Sequence, residues 1–107
     1  MNGAVEIRID LRAVVYFDRE VGRWIGHCLE LDLVGEGNSP SDATREVMEL
    51  CDTHIDSCIE SGDLDGIFSP APSEIERMYA EAVDFDSDVK RPSNTEVVRV
   101  RQYGHAA

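Results

Sequence analysis

An α+β fold is predicted for this 107-residue chain: a small antiparallel sheet of three strands, a candidate fourth strand near the C-terminus, and one long helix on one face. Three observations carry that prediction. Apolar residues alternate strictly with polar ones from Val5 to Phe17. The apolar period switches from two to 3.6 across Asn38 and Ser39. The segment that follows carries both a helix start and a helix stop.

The first element is VEIRIDLRAVVYF, residues 5–17. Val5, Ile7, Ile9, Leu11, Ala13, Val15 and Phe17 take every second place, so one face is buried and one is wet. Thirteen residues exceed the usual strand length, which predicts a bend or bulge inside the stretch. Asp18 to Gly22 supplies a turn, and RWIGHCLEL, residues 23–31, returns as the second strand of a hairpin. Residues 33–37 form a short third strand, where Gly35 and Gly37 point to a bulge or a close backbone approach.

Ser39 is placed to cap the long helix, Pro40 suits the first helical position and Asp42 sits in the first turn, where the helix dipole favours an anion. The helix runs over 39–61, and Gly62 supplies a left-handed stop. Ala43, Val47, Leu50, Cys51, His54 and Cys58 share one face, with Glu49, Asp52, Asp56 and Glu60 opposite. Met48, Ile55 and Ile59 form a flanking apolar stripe, expected to cover the second helix or a second subunit and read as a candidate oligomer interface. Residues 63–72 are a loop. Ser73-Glu74-Ile75-Glu76 fits a capping box and starts a short helix over 73–83. Residues 84–94 read as a linker, TEVVRVRQY (95–103) as a last strand, and the final residues as frayed. Residues 1–62 thus make the ββ(β)α core. Residues 63–107 make a C-terminal extension packed on the same domain.

Apolar residues are 42% of the chain, enough for a modest core. No apolar run approaches the roughly 20 residues of a membrane span, and no secretory signal is recognisable at the N-terminus. Three cysteines without a CxxC pair predict a reducing, cytoplasmic setting rather than a disulfide framework. The net charge of −12 is unevenly spread: residues 30–88 hold seventeen acids against Arg45 and Arg77, whereas 89–107 hold Glu96 against four bases. Such an acidic middle repels phosphate backbones, which argues against direct nucleic-acid binding, and attracts a basic partner. Solubility alone is the plainer account of it.

Candidate chemistry is sparse. Cys51, His54 and Cys58 share a helical face, and His27 or Cys28 could complete a zinc set. Small buried core residues explain the same cysteines, so no metal is expected. Asp10, Glu30 and Asp56 have no spacing that requires a two-metal site. There is no GxSxG, no Walker A and no GxGxxG. No catalytic residue and no cofactor are therefore assigned. Trp24 reads as a hairpin anchor. The Arg99 and Arg101 face lacks interleaved aromatics apart from Tyr103, which argues against a nucleic-acid surface.

The segment Trp24 to Leu50, WIGHCLELDLVGEGNSPSDATREVMEL, resembles the HicB-like antitoxin family. Cys28-Leu29-Glu30-Leu31 stands where the family ends a strand in Cys/Pro-x-Leu. Leu33 to Glu36 matches its short strand, Gly37-Asn38-Ser39 its Gly-Asp-Thr entry, and Asp42-Ala43 the Glu-Ala near its helix start. The hairpin Val14 to Gly22 matches the family's first strand and turn, and the likeness covers about half the chain. It implies a partial RNase H-like sheet with one helix on its face and no nuclease site, found in dimers or larger assemblies. It also implies inhibition of a small basic RNA-cleaving toxin. Residues 73–103 depart from the DNA-binding domain that many members carry at the C-terminus. The function expected is that of a non-enzymatic, homo-oligomeric antitoxin-type inhibitor, with Glu49, Asp52, Asp56 and Glu60 facing the partner and only Arg45 nearby to offset them. The alternative is a stand-alone oligomeric domain of this fold with another partner or ligand.

Overall fold

The computed structural model describes residues 7–104. The strand expected over 5–17 begins at Ile9 within that span; its first two residues, like the last three of the chain, lie outside the described residues. Strand β1 (Ile9–Asp18) folds back through a tight turn into β2 (Arg23–Cys28). The Asp18 carboxylate accepts from the backbone N–H groups of Glu20 and Val21, and Gly22 takes φ +74° to close the turn. Strand β3 (Leu33–Gly37) pairs antiparallel with β2, as β2 does with β1.

The second strand ends earlier than its alternation predicts. Leu29 still donates to the Arg12 carbonyl at 2.9 Å. The Arg12 N–H, however, goes to the Glu30 carboxylate at 2.7 Å rather than to a backbone oxygen. The carbonyls of Leu29 and Glu30 turn to Ala71 and Ser69 of the later loop. Period two persists in the burial of Leu29 and Leu31, but the ladder stops at Cys28.

Helix α1 (Pro40–Ser61) carries the expected caps. Ser39 Oγ accepts from the Asp42 N–H at 3.1 Å, and Gly62 adopts φ +73° with its N–H on the last-turn carbonyls. A 3-10 turn (Asp65–Ile67) leads to α2 (Ser73–Glu81). The capping box expected there does not form. The helix starts one residue early, so Pro72, which has no side-chain acceptor, is the N-cap and Ser73 falls inside the helix, while the Glu76 carboxylate reaches across to Arg12. This helix ends at Glu81 and gives way to β4 (Val83–Asp84), a two-residue strand inside the expected helix end and linker. Strand β5 (Thr95–Tyr103) completes the sheet.

The strand order is β3-β2-β1-β5-β4. The first three strands are antiparallel, but β5 runs parallel to β1, so the sheet is mixed. Direction follows from the connection: α1, α2 and the intervening segments carry the chain back across the sheet, as a parallel pairing requires. The register between β1 and β5 shifts between Ile9 and Leu11, inside the long first strand where a bulge was predicted.

Ile9, Leu11 and Ala13 pack with Cys28 and the α1 residues Val47, Met48, Cys51 and Ile55 on one face of the sheet. On the opposite face Val14 and Leu29 pack with Ala71, Ile75 and Tyr79 of the α2 region. Trp24 anchors the hairpin, edge-on to Phe17 at 5.7 Å between ring centroids.

Candidate functional site

Helix α1 sits unusually close to the sheet, and glycines make that possible. A Cβ on Gly35 would lie 2.7 Å from the Val47 nitrogen, and one on Gly37 would lie 2.5 Å from the Ala43 nitrogen. The buried face of the helix is Ala43, Thr44, Val47, Met48, Cys51, Ile55 and Cys58. Leu50, expected on that face, is 40% exposed instead.

The apolar stripe is corrected by this geometry. Met48 and Ile55 lie inside the chain's own core, and Ile59 packs half-buried against it. The segment before β5 contributes Val89 to that core, and the 3-10 turn contributes Ile67. The chain thus covers its own stripe, leaving Met48 and Ile55 no area to offer a second subunit.

Glu49, Asp56 and Glu60 remain exposed on the outer side of α1. Asp52 is partly covered and accepts from the Ser93 N–H at 2.9 Å. Glu49 and Asp52 line a cavity of about 200 Å³ together with Arg45, Lys90 and Arg91. Two further cations therefore stand beside the first half of the acidic row, because residues 89–92 lie along the helix rather than away from it. The second half, Asp56 and Glu60, keeps its negative field. No basic residue occupies the last turn of α1, so Glu60 stands at the negative end of the helix dipole, where an anion is disfavoured.

The metal-capable side chains do not converge. Cys28 and Cys51 are both buried in the core cluster, and the neighbouring Cys28 thiol, together with burial, pushes the Cys51 thiol above its ordinary pKa. His54 Nε2 donates to the carbonyls of Gly66 and Ile67 at 3.2 and 3.0 Å, with Cys58 Sγ 3.8 Å away. Among the described residues no group of three or more His, Cys, Asp or Glu side chains is placed to hold a metal ion. The other carboxylate set is equally dispersed: Glu30 is committed to Arg12, whereas Asp56 lies on the outer face of α1. Buried His27 places Nε2 2.7 Å from Asp32 Oδ1, which braces a turn where Asp32 takes φ +54°.

One polar network escaped sequence reasoning. Arg12 Nε donates to Glu30 Oε2 at 2.5 Å, and its two terminal nitrogens donate to the two Glu76 oxygens at 3.1 and 3.0 Å. Hydrogen bonding to Glu30, opposed by burial and reinforced by Glu76, holds the guanidinium pKa above its ordinary value. Arg12 and Arg101 also stand over the Tyr79 ring, at 5.4 and 4.6 Å from its centroid. Glu76 lies 64 positions from Arg12, so the only sequence signal was an arginine on the polar side of an alternating strand.

The fold and this surface define a mixed α+β sheet between two helices, with an acidic outer helix face. No family model, no curated protein and no solved structure matches this chain. No helix among the described residues is long and apolar enough to cross a membrane.

Proposed function

We propose that this chain is a non-enzymatic, HicB-like inhibitor that acts through protein contacts in the cytoplasm, binding a small basic RNA-cleaving toxin. The observation that carries the reading is the second half of the acidic row. Asp56 and Glu60 project from a doubly capped helix with no base in its last turn. Acids needed only for solubility could sit anywhere, and this position costs helix stability. A basic, phosphate-binding surface is the natural counterpart of such a face. The antiparallel hairpin, the short third strand and the Gly37-Asn38-Ser39 entry into α1 support the family resemblance. The test is to purify any short basic protein encoded by an adjacent reading frame, mix it with this chain and assay RNA cleavage. Stoichiometric suppression of cleavage and a stable complex are expected; unchanged cleavage at excess inhibitor rejects the reading.

A second reading, a stand-alone oligomer, is favoured by one edge of the sheet. Among the described residues strand β3 has a neighbour on one side only, and Val34 in it is 47% exposed. An unpaired edge of this kind is a template for strand pairing with a second copy. In this reading two chains pair along β3, and the Val34→Lys variant is a monomer by light scattering. A native protein that already scatters as a monomer at tens of micromolar removes it.

A further inference from the structure

We propose that the cleft between Tyr16, Met78 and Tyr103 receives an arginine side chain from a basic protein partner. The inference rests on the reading of a basic partner and adds a docking point remote from α1. Tyr16 and Tyr103 are register partners on the parallel strands β1 and β5, so both side chains rise on the α2 side of the sheet. Two cavities of about 270 and 250 Å³ meet there, sharing Met78 and Tyr103 in their walls. Tyr103 is 39% exposed at the end of its strand.

Three features select a guanidinium. The same sheet face already stacks arginine on tyrosine, with Arg101 4.6 Å and Arg12 5.4 Å from the Tyr79 centroid. Carboxylates stand near the cleft: burial first, then Asp18 and Glu74, push the Tyr16 phenol upward in pKa. Glu74 and Glu81 line the second cavity and can meet the planar donor fork of an arginine. Two cations of the chain itself, Arg19 and Arg77, also line the cleft, one in each cavity. Arg19 therefore competes with an incoming arginine, and its removal takes away a repelling charge and leaves Glu74 and Glu81 against Arg77 alone.

The test uses the full chain and three short acetylated, amidated peptides, alike except for arginine, lysine or norleucine at one position. Binding is followed by the NMR signals of the Tyr16 and Tyr103 rings. Saturable shifts are expected with the arginine peptide, weaker ones with lysine and none with norleucine. Tyr103→Leu, at an exposed site, leaves the fold intact by circular dichroism and weakens the arginine peptide about fivefold. Arg19→Ala strengthens it. Equal shifts with norleucine make the cleft merely apolar and overturn the proposal, as do arginine-induced shifts confined to Asp56 and Glu60. Arginine binding at the cleft without capture of the adjacent gene product supports the cleft while the antitoxin reading fails. Capture of that product without any peptide response at Tyr16 and Tyr103 overturns the cleft alone.

Discussion

Arg12 shows how a single side chain ties three segments together. It holds the end of the hairpin through Glu30 and the second helix through Glu76 and Tyr79. Exposed ion pairs are worth little, and the Arg12 and Glu76 side chains are 38% and 45% exposed. The less exposed Glu30 contact and the ring contact contribute most of the effect. Arg12→Met therefore destabilises the protein by about 1–2 kcal/mol in urea unfolding, with Glu76→Gln costing less than half of that. Tyr16 makes a second residue-scale prediction. Burial, then Asp18 and Glu74, raise its phenol above the ordinary value of 10.0. The unfolded chain then releases this proton at lower pH than the folded one. Stability associated with Tyr16 is therefore full below the ordinary value and declines as pH rises from it through the folded value. Tyr16→Phe removes that part of the alkaline loss; a variant whose stability declines above pH 10 as steeply as the native protein's contradicts the assignment.

Elements were legible where local chemistry alone decides them. Ser39, Pro40 and Gly62 fix both ends of α1 from within the helix and its flanks, and the structure places both boundaries there. The alternation in β1 likewise depends on one buried face only. Elements decided by distant partners were not legible. The helix at Ser73 started one residue early, with Glu76 bound to Arg12, and β2 stopped where the Glu30 carboxylate replaced a ladder carbonyl. Strand β4 is two residues long, paired through Val83 and Asp84 to Gln102 and Arg101, too short to carry a period. The covered stripe of Met48 and Ile55 was misread for the same reason: Val89 and Ile67 reach it from segments read as linker and loop. The acidic row was legible in full, but not the cations beside its first half. Close helix seating gives a prediction at this scale. Gly35→Ala forces a methyl group against the Val47 backbone, which cannot swing aside as a side chain can. The expected cost is about 1–3 kcal/mol, as for other overpacked sites. Ser39→Ala costs about 1 kcal/mol by leaving the Asp42 N–H without its acceptor. The two losses add in urea unfolding if α1 shifts as a rigid unit only in the glycine variant.

At the scale of the whole molecule, charge and stability pull in opposite directions on α1, and that opposition separates a partner-facing role from mere solubility. Residues 30–88 hold fifteen more negative than positive charges. Lys90 and Arg91 fold back over Glu49 and Asp52, so the outward field is strongest beyond them, at Asp56 and Glu60. Glu60→Lys places a cation at the negative end of the helix dipole and should stabilise the free protein by about 0.3–1 kcal/mol. If the face steers a basic partner, the same substitution slows association, because peripheral charges act on encounter more than on the final complex. Association rates are compared at about 50 and 300 mM salt, between which the screening length changes more than twofold. The expected outcome is a more heat-stable variant that binds more slowly at low salt, with the difference shrinking at high salt. Glu49→Gln, beside Lys90 and Arg91, should change the rate much less. A Glu60→Lys protein that is more stable yet associates at the native rate at both salts leaves solubility as the only role for this end of the helix.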